Sequence, residues 1–182
     1  IFTVEEMSEL LSAARYEMVP WLAIGAFSGL RTAEIKRLDW SEIHLAEGHI
    51  EGKAKKAKTA SRRVAPLPAN LAAWLAPYAN STGPVTPFVN MVSQINWLVE
   101  DVNKLRKQRG QKTPMRWKHN GLRHSFASYR TALIKDVAQV ALECGNTPQM
   151  IFQHYRQLVT EAEAKKWFGL LPAQAANVIS LP

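Results

Sequence analysis

Cysteine is almost absent from the sequence, and this scarcity excludes several kinds of stabilising site. Cys144 is the single cysteine among 182 residues, so no disulfide forms within the chain and no cysteine zinc site is encoded. A lone cysteine suits the reducing cytoplasm. The longest apolar runs fall well short of the roughly 18 residues that a membrane-spanning helix needs, and no signal peptide is recognisable. We therefore expect a cytoplasmic protein with no membrane partner.

Internal repeats, low-complexity tracts and an interdomain linker are also missing. The composition is 47% hydrophobic, which is typical of a globular protein, and 182 residues suffice for one domain with a substantial core. The sequence opens on Ile1 rather than methionine. From this we expect a single domain over residues 1–182 that is a fragment of a longer protein.

Acidic residues are missing from two segments that hold most of the basic ones. Residues 53–63 contain six basic residues and residues 104–118 contain seven. The rest of the chain holds 10 basic residues against 15 acidic ones, although the net charge of the whole is +8. Two positive segments on an otherwise acidic body favour a polyanionic partner such as nucleic acid, whereas a solvated loop is the simpler reading of a charge run.

Helical periodicity dominates the chain and fades only between Ile43 and Pro66, where short segments separated by Gly48 and Gly52 predict a small antiparallel sheet. Asn120 is a plausible N-cap for the helix that carries Arg123. The predicted fold class is α+β and predominantly helical. The predicted helices cover residues 3–15, 18–28, 32–38, 68–76, 90–107, 134–143, 148–155 and 161–168, and a further helix carries Arg123. Thr3 with Glu6 predicts a capping box for the first helix, and residues 18–28 are apolar nearly all round, which predicts a buried helix.

Four short motifs follow one another in an order that suits a single reaction. Arg31 lies in Gly29-Leu30-Arg31-x-x-Glu34, and Lys58 lies eight residues before Pro66-Leu67. Arg123 lies in Leu122-Arg123-His124-Ser125-Phe126, and Tyr155 follows His154. Arginine offers charged, planar donors to phosphate oxygens, and a tyrosine oxygen can attack a phosphodiester. Tyr78 and Tyr129 have no comparable context.

On these motifs, from about Thr3 to Phe168, the chain resembles the catalytic domain of a tyrosine recombinase of the phage-integrase type. The resemblance implies the helical fold with a small sheet that is shared by DNA breaking-rejoining enzymes, without the N-terminal DNA-clamping domain. It implies a site-specific recombinase or integrase that cuts and rejoins double-stranded DNA through a 3′-phosphotyrosyl intermediate. It also implies no metal or other cofactor. It further implies a homotetramer on synapsed DNA and a monomer in the absence of DNA. Bound to DNA, such a protein would lie at the nucleoid.

The resemblance also assigns roles to individual residues. Arg31 and Arg123 would clamp the phosphate, Lys58 would protonate the leaving 5′ oxygen, and Tyr155 would be the nucleophile. Glu34, one turn after Arg31, would hold that arginine by an ion pair, while His124 and His119 would give support. Lys53, Lys55 and Lys56 compete with Lys58, and the eight-residue offset from Pro66 selects Lys58.

Two asparagines depart from the family pattern. Asn120 stands three residues before Arg123, where the family usually has histidine, and Asn146 stands nine residues before Tyr155, where histidine or tryptophan is usual. Asparagine donates hydrogen bonds to phosphate but does not accept a proton near neutral pH. We predict that both asparagines are catalytic residues. Removal of the tyrosine proton is then the weakened step, because neither asparagine accepts it.

The remaining histidines give no sign of a metal site. His44 and His49 are expected to have no special role, and His119 and His124 lack the acidic or cysteine neighbours of a metal site. The rival functions are a type IB topoisomerase-like nicking and closing enzyme and a catalytically weakened DNA-binding relic. The residues expected to contact DNA are Lys53, Lys55, Lys56, Arg62, Arg63, Arg106, Lys107, Arg109, Lys112, Arg116 and Lys118.

Overall fold

The computed structural model describes residues 1–52, 63–154 and 159–173, and the side chains of Arg63, Gln153 and His154 fall outside the described part. Helices make up most of it, and one small sheet lies between the third and fourth of them. The helices are α1 Val4–Ala13, α2 Val19–Phe27, α3 Thr32–Ile35, α4 Ala69–Leu75, α5 Met91–Gln108, α6 Gly121–Ile134, α7 Val137–Cys144, α8 Pro148–His154 and α9 Glu161–Phe168. The strands are β1 Ile43–His44, β2 His49–Gly52 and β3 Arg63–Pro66.

The sheet is antiparallel throughout, in the order β1-β2-β3, as the sequence predicted. Ile43 lies opposite Ile50, and Ile50 lies opposite Ala65, so these apolar side chains share one face. Ile50 and Ala65 are fully buried, which places that face on the core. His44, His49 and Glu51 alternate with them and therefore lie on the other face.

The first helix begins where its capping signal lies. The Thr3 hydroxyl accepts from the Glu6 backbone N–H, and the Glu6 carboxylate accepts from the Thr3 backbone N–H. This reciprocal pair confirms the predicted capping box. The helix ends at Ala13, two residues earlier than predicted, because Ala14 is already extended with φ −67° and ψ 138°.

Helix α2 is the centre of the molecule. All nine of its residues are buried, as the apolar run predicted, and α4, α6 and α1 pack around it. Helix α9 packs against α6. The Trp167 ring lies 4.3 Å from that of Tyr129 and nearly parallel to it, and its Nε1 donates to the Ala26 carbonyl over 3.2 Å. Burial of such large aromatic side chains contributes strongly to the stability of the core.

Within the described residues, no helix combines the length and the apolar character that crossing a membrane requires.

Candidate active site

A tight turn after α2 delivers Arg31 to the site. Gly29 has φ +69°, a conformation that residues with a side chain rarely adopt. A Cβ at this position would lie 2.6 Å from the Phe126 ring and 3.2 Å from Cys144 Sγ. Only glycine therefore lets this turn pack directly against α6 and the end of α7.

Arg31, at the start of α3, is fixed on two sides. Its Nη2 donates to the Gly145 carbonyl over 2.6 Å and to Asn146 Oδ1 over 3.2 Å. The Glu34 carboxylate accepts from the Arg31 backbone N–H over 2.6 Å and from its Nη1 over 3.2 Å. The expected contact between Glu34 and Arg31 is thus present. The arginine side chain remains 48% exposed, so a ligand can reach it from solvent.

Arg123 approaches the same point from the first turn of α6. Its Nη2 donates to the Cys144 carbonyl over 2.6 Å and to Asn146 Oδ1 over 2.9 Å. Its Nη1 donates to the Gly29 carbonyl. One amide oxygen, Asn146 Oδ1, therefore lies within hydrogen-bond distance of both guanidinium groups, although Arg31 and Arg123 are 92 residues apart in the sequence.

The carboxyl end of α7 supplies the electrostatic counterpart of these arginines. The Cys144 and Gly145 carbonyls lie at the negative end of that helix, where cations are stabilised. Gly145 has φ +58° and ends the helix, which turns the chain toward Asn146. Guanidinium groups only donate hydrogen bonds, so the side-chain oxygen of Asn146 faces them. The Nδ2 group of the same amide is then left as the donor to a ligand. Apart from the glycine that ends the helix, no sequence pattern predicted these main-chain contacts.

Asn120 does not cap α6 in the predicted way. The residue precedes the helix, but its φ is +51° and its side chain accepts no capping hydrogen bond. Asparagine tolerates this left-handed conformation better than most residues, which explains its presence without a cap. Asn120 and His119 are exposed and line a cavity of about 360 Å³ together with Arg123. His124 is half-buried on α6.

Lys58 and Tyr155 lie outside the described residues, as do Lys53, Lys55, Lys56 and Arg62. In the sequence, Lys58 falls between β2 and β3, and Tyr155 follows His154, the last described residue of α8. Ile151 of α8 is 1% exposed and packs with Phe126 and Cys144, so this helix is anchored beside the arginines. The roles of the lysine and the tyrosine remain predictions.

Tyr78 and Tyr129 are core residues. The Tyr78 hydroxyl donates to the Tyr16 carbonyl over 2.6 Å, and the Tyr129 hydroxyl donates to the Phe2 carbonyl over 3.1 Å. Burial raises the pKa of Tyr78, and it raises the pKa of Tyr129 to about 12. A buried hydroxyl that is this hard to deprotonate makes a poor nucleophile, in agreement with the sequence context of both residues.

Within residues 104–118, two basic side chains are engaged inside the protein. Arg106 is 13% exposed and donates to Glu9 through Nε over 2.8 Å and Nη2 over 2.6 Å. Lys118 donates to Glu6 and to the Ile1 carbonyl. We therefore withdraw both from the expected DNA contacts, because the sequence pattern did not show the opposing carboxylates of α1. Lys107, Arg109, Lys112 and Arg116 are exposed.

Comparison with known proteins decides the family. The family model described as the phage integrase family matches residues 1–142. The chain belongs to the phage integrase family. The match includes Arg31, Lys58, Asn120 and Arg123 of this integrase-family chain, and it ends before Asn146 and Tyr155.

The fold of this integrase-family chain is similar to that in the crystal structure of XerA recombinase. The two share 17% sequence identity with a TM-score of 0.63, over 92% of this chain and 62% of that chain. The likeness confirms the predicted tyrosine recombinase fold. This chain thus spans 62% of the length of the structure that it matches. No curated protein matches the sequence.

Proposed function

We propose that this chain is the catalytic domain of a site-specific DNA recombinase that cuts and rejoins DNA through Tyr155. The observation that carries the proposal is the convergence of Arg31 and Arg123 on a single oxygen, Asn146 Oδ1, at 3.2 and 2.9 Å. Two guanidinium groups that share one acceptor form a receptor for a group with several anionic oxygens. A phosphodiester is such a group, and membership of the phage integrase family supports DNA as its source.

In this proposal the arginines act on the transition state. A nonbridging phosphate oxygen would take the place of Asn146 Oδ1 or share the donors with it, and negative charge on these oxygens grows during the displacement. Hydrogen bonds from Arg31 and Arg123 to main-chain carbonyls hold both cations in place before the reaction. Preorganised charge of this kind lowers the barrier, because little reorganisation is needed as charge develops.

The covalent step would follow from the same arrangement. The Tyr155 oxygen attacks the phosphorus, the bond from phosphorus to the 5′ oxygen breaks, and Lys58 gives that oxygen its proton. The product is a 3′-phosphotyrosyl bond and a free 5′ hydroxyl, and attack by a 5′ hydroxyl reverses the step. The phosphodiester energy is conserved in the intermediate, so rejoining needs no ATP. Neither Asn120 nor Asn146 takes the tyrosine proton, because an amide does not accept one near neutral pH. In this proposal the proton passes to solvent water.

The proposed substrate is double-stranded DNA, and strand exchange would engage four copies of the chain on two synapsed duplexes. The exposed side chains of Lys107, Arg109, Lys112 and Arg116 supply positive charge for the DNA backbone. We place the protein in the cytoplasm, at the nucleoid when it is bound to DNA. Because arginine and lysine supply the positive charge, chelation by EDTA is expected to leave the cleavage rate unchanged.

The test of the nucleophile is a covalent adduct. Full-length protein is incubated with a nicked suicide duplex of its own attachment site, and the products are separated in SDS. We expect a protein–DNA band that is lost in Tyr155→Phe. Tyr16→Phe is the matched control, because Tyr16 is exposed and the hydroxyl that this substitution removes donates to the carbonyl of Pro77, which is also exposed. An adduct that persists in Tyr155→Phe would refute the assignment.

The test of the general acid uses a leaving group that needs no proton. Lys58→Ala is expected to slow cleavage of ordinary DNA by about 100- to 10,000-fold. A substrate with a 5′-thiolate leaving group should restore the rate. Lys56→Ala, at an expected DNA contact, should instead affect both substrates equally. If Lys58→Ala lowered the cleavage rate equally on both substrates, Lys58 would only contact the phosphate and would not be the general acid. Strand exchange between two duplexes then separates a recombinase from a topoisomerase that nicks and closes one strand.

A further inference from the structure

Three side chains of metal-ligand type meet on the hairpin formed by β1 and β2. His44 and His49 lie directly opposite each other, with their ring centroids 4.7 Å apart. His44 Nε2 lies 3.7 Å from Glu51 Oε2. One nitrogen from each histidine and one oxygen of Glu51 all lie within 4.8 Å of one another, and all three side chains are half-buried.

The strand register produces this cluster, and the sequence pattern alone did not reveal it. His49 and Glu51 are two residues apart on β2, so they share a face, and His44 joins them as the cross-strand partner of His49. The opposite face is fixed in the core by Ile50, which is fully buried. Gly48, with φ +72°, closes the connection between the strands, and its N–H donates to the His44 carbonyl over 2.9 Å. The face that carries the three ligands is therefore set by the fold.

We propose that His44, His49 and Glu51 form a binding site for a divalent first-row transition metal, with Zn²⁺ as the reference ion. Two imidazole nitrogens and one carboxylate oxygen form a donor set that suits zinc, copper and nickel. Magnesium and calcium prefer sites built from oxygen alone. Zinc held by three protein ligands takes water at its fourth position, and the half-buried setting leaves room for that water.

The distances suit such an ion after small movements. Zinc lies about 2.0–2.2 Å from nitrogen and oxygen ligands, so ligand atoms arranged tetrahedrally around it are about 3.3–3.6 Å apart. Rotations about the side-chain torsions bring the present separation of up to 4.8 Å into that range. The ion would bridge β1 and β2 and hold the hairpin closed.

The site is separate from the proposed catalysis and does not depend on it. Its ligands are imidazoles and a carboxylate, whereas the groups around Asn146 are guanidinium donors and carbonyls. His49 also lines a cavity that reaches Gly145 and Asn146, so the ion would lie near the rim of the candidate active site.

Metal titration of the whole chain tests the proposal. Tag-free protein is stripped with EDTA and dialysed, then titrated with Zn²⁺ by calorimetry and with Co²⁺ by visible absorption. We expect one ion per chain, a rise in the melting temperature with Zn²⁺ because the ion binds the folded state, and no rise with Mg²⁺. His44→Ala and His49→Ala should each weaken Zn²⁺ binding by at least about tenfold, since even loss of an outer-shell partner costs about 10- to 100-fold.

Matched variants separate ligand loss from general effects. His119→Ala removes an exposed histidine elsewhere and should leave Zn²⁺ affinity unchanged. Glu51→Gln should weaken binding, whereas Glu47→Gln removes the same charge from the same hairpin and should not. Metal-free melting curves establish that each variant is folded. Absence of Zn²⁺ binding to the wild type at micromolar concentrations, or undiminished affinity in the folded His44→Ala/His49→Ala double variant, would overturn the proposal.

Discussion

At the scale of single residues, Asn146 connects the two arginines that the sequence placed far apart. Its Oδ1 accepts from Arg31 and from Arg123, and the carbonyls of the two residues before it accept from the same side chains. The sequence predicted Asn146 as a donor to phosphate. The structure adds that its oxygen already holds the arginines, which leaves Nδ2 as the group that can donate to a substrate.

Replacement of Asn146 tests this double role. Asn146→Ala is expected to slow cleavage by about 100- to 1,000-fold, because a transition-state donor and the link between two arginines are both lost. Affinity for duplex DNA should change little, because many other phosphate contacts determine it. Single-turnover cleavage of the suicide duplex and a binding titration measure the two quantities.

Asn146→Asp is the informative companion variant. Its carboxylate would still accept from both arginines, but its negative charge would oppose the phosphate, so cleavage should be slow although the arginines stay in place. Cleavage at the wild-type rate in Asn146→Ala would contradict a catalytic role for the residue.

At the scale of elements, the turn after α2 packs closely against α6 at Gly29. Gly29 lies against the ring of Phe126, and its carbonyl accepts from Arg123. The same glycine therefore brings α2 and α6 together and orients an arginine of the candidate active site. Substitution here should affect both the packing and the chemistry.

Gly29→Ala is expected to destabilise the protein through two additive causes. The left-handed backbone costs about 1–2 kcal/mol for a residue with a side chain, and the clash with Phe126 adds about 1–3 kcal/mol of overpacking. Gly83→Ala is the control, because Gly83 also has positive φ, at +79°, but its added Cβ would meet nothing within 4 Å. Denaturant unfolding measures the free energy of unfolding of both variants, and the difference between their losses is the cost of the clash with Phe126. Equal losses in the two variants would show that the contact with Phe126 contributes nothing.

At the scale of the whole molecule, the six residues of 104–118 that were expected to contact DNA divide into two sets. Arg106 and Lys118 bind carboxylates of α1 and hold that helix against α5 and the segment before α6. Lys107, Arg109, Lys112 and Arg116 remain on the surface, where they can neutralise phosphates. Positive charge in the sequence therefore overstates the charge that is available to DNA.

Salt dependence of DNA binding distinguishes the two groups. Each phosphate contact contributes about 0.9 to the slope of log K against log salt, so the triple variant Lys107→Ala, Arg109→Ala, Lys112→Ala should flatten the slope by up to about 2.7. Arg106→Ala removes a charge from the same segment but should leave the slope unchanged. It should instead lower the free energy of unfolding by about 1.5–3 kcal/mol, because it removes charge-assisted hydrogen bonds to Glu9. A slope that is equally flattened by Arg106→Ala would contradict this division.

The sequence by itself determined the elements that depend on local physics. The capping box at Thr3, the wholly apolar α2 and the antiparallel sheet between Ile43 and Pro66 were all predictable, because capping and hydrophobic periodicity act over a few residues. The motifs around Arg31 and Arg123 indicated the family for the same reason, since each is a short run of neighbouring residues.

Only the tertiary structure decided which groups meet across long stretches of chain. Asn120 looked like a cap because asparagine favours that position, but its backbone is left-handed and its side chain caps nothing. Arg106 looked free because Glu9, its partner, lies 97 residues earlier. The bridge from Asn146 to both arginines and the cluster of His44, His49 and Glu51 follow from helix packing and strand register, which fix contacts that no local pattern encodes.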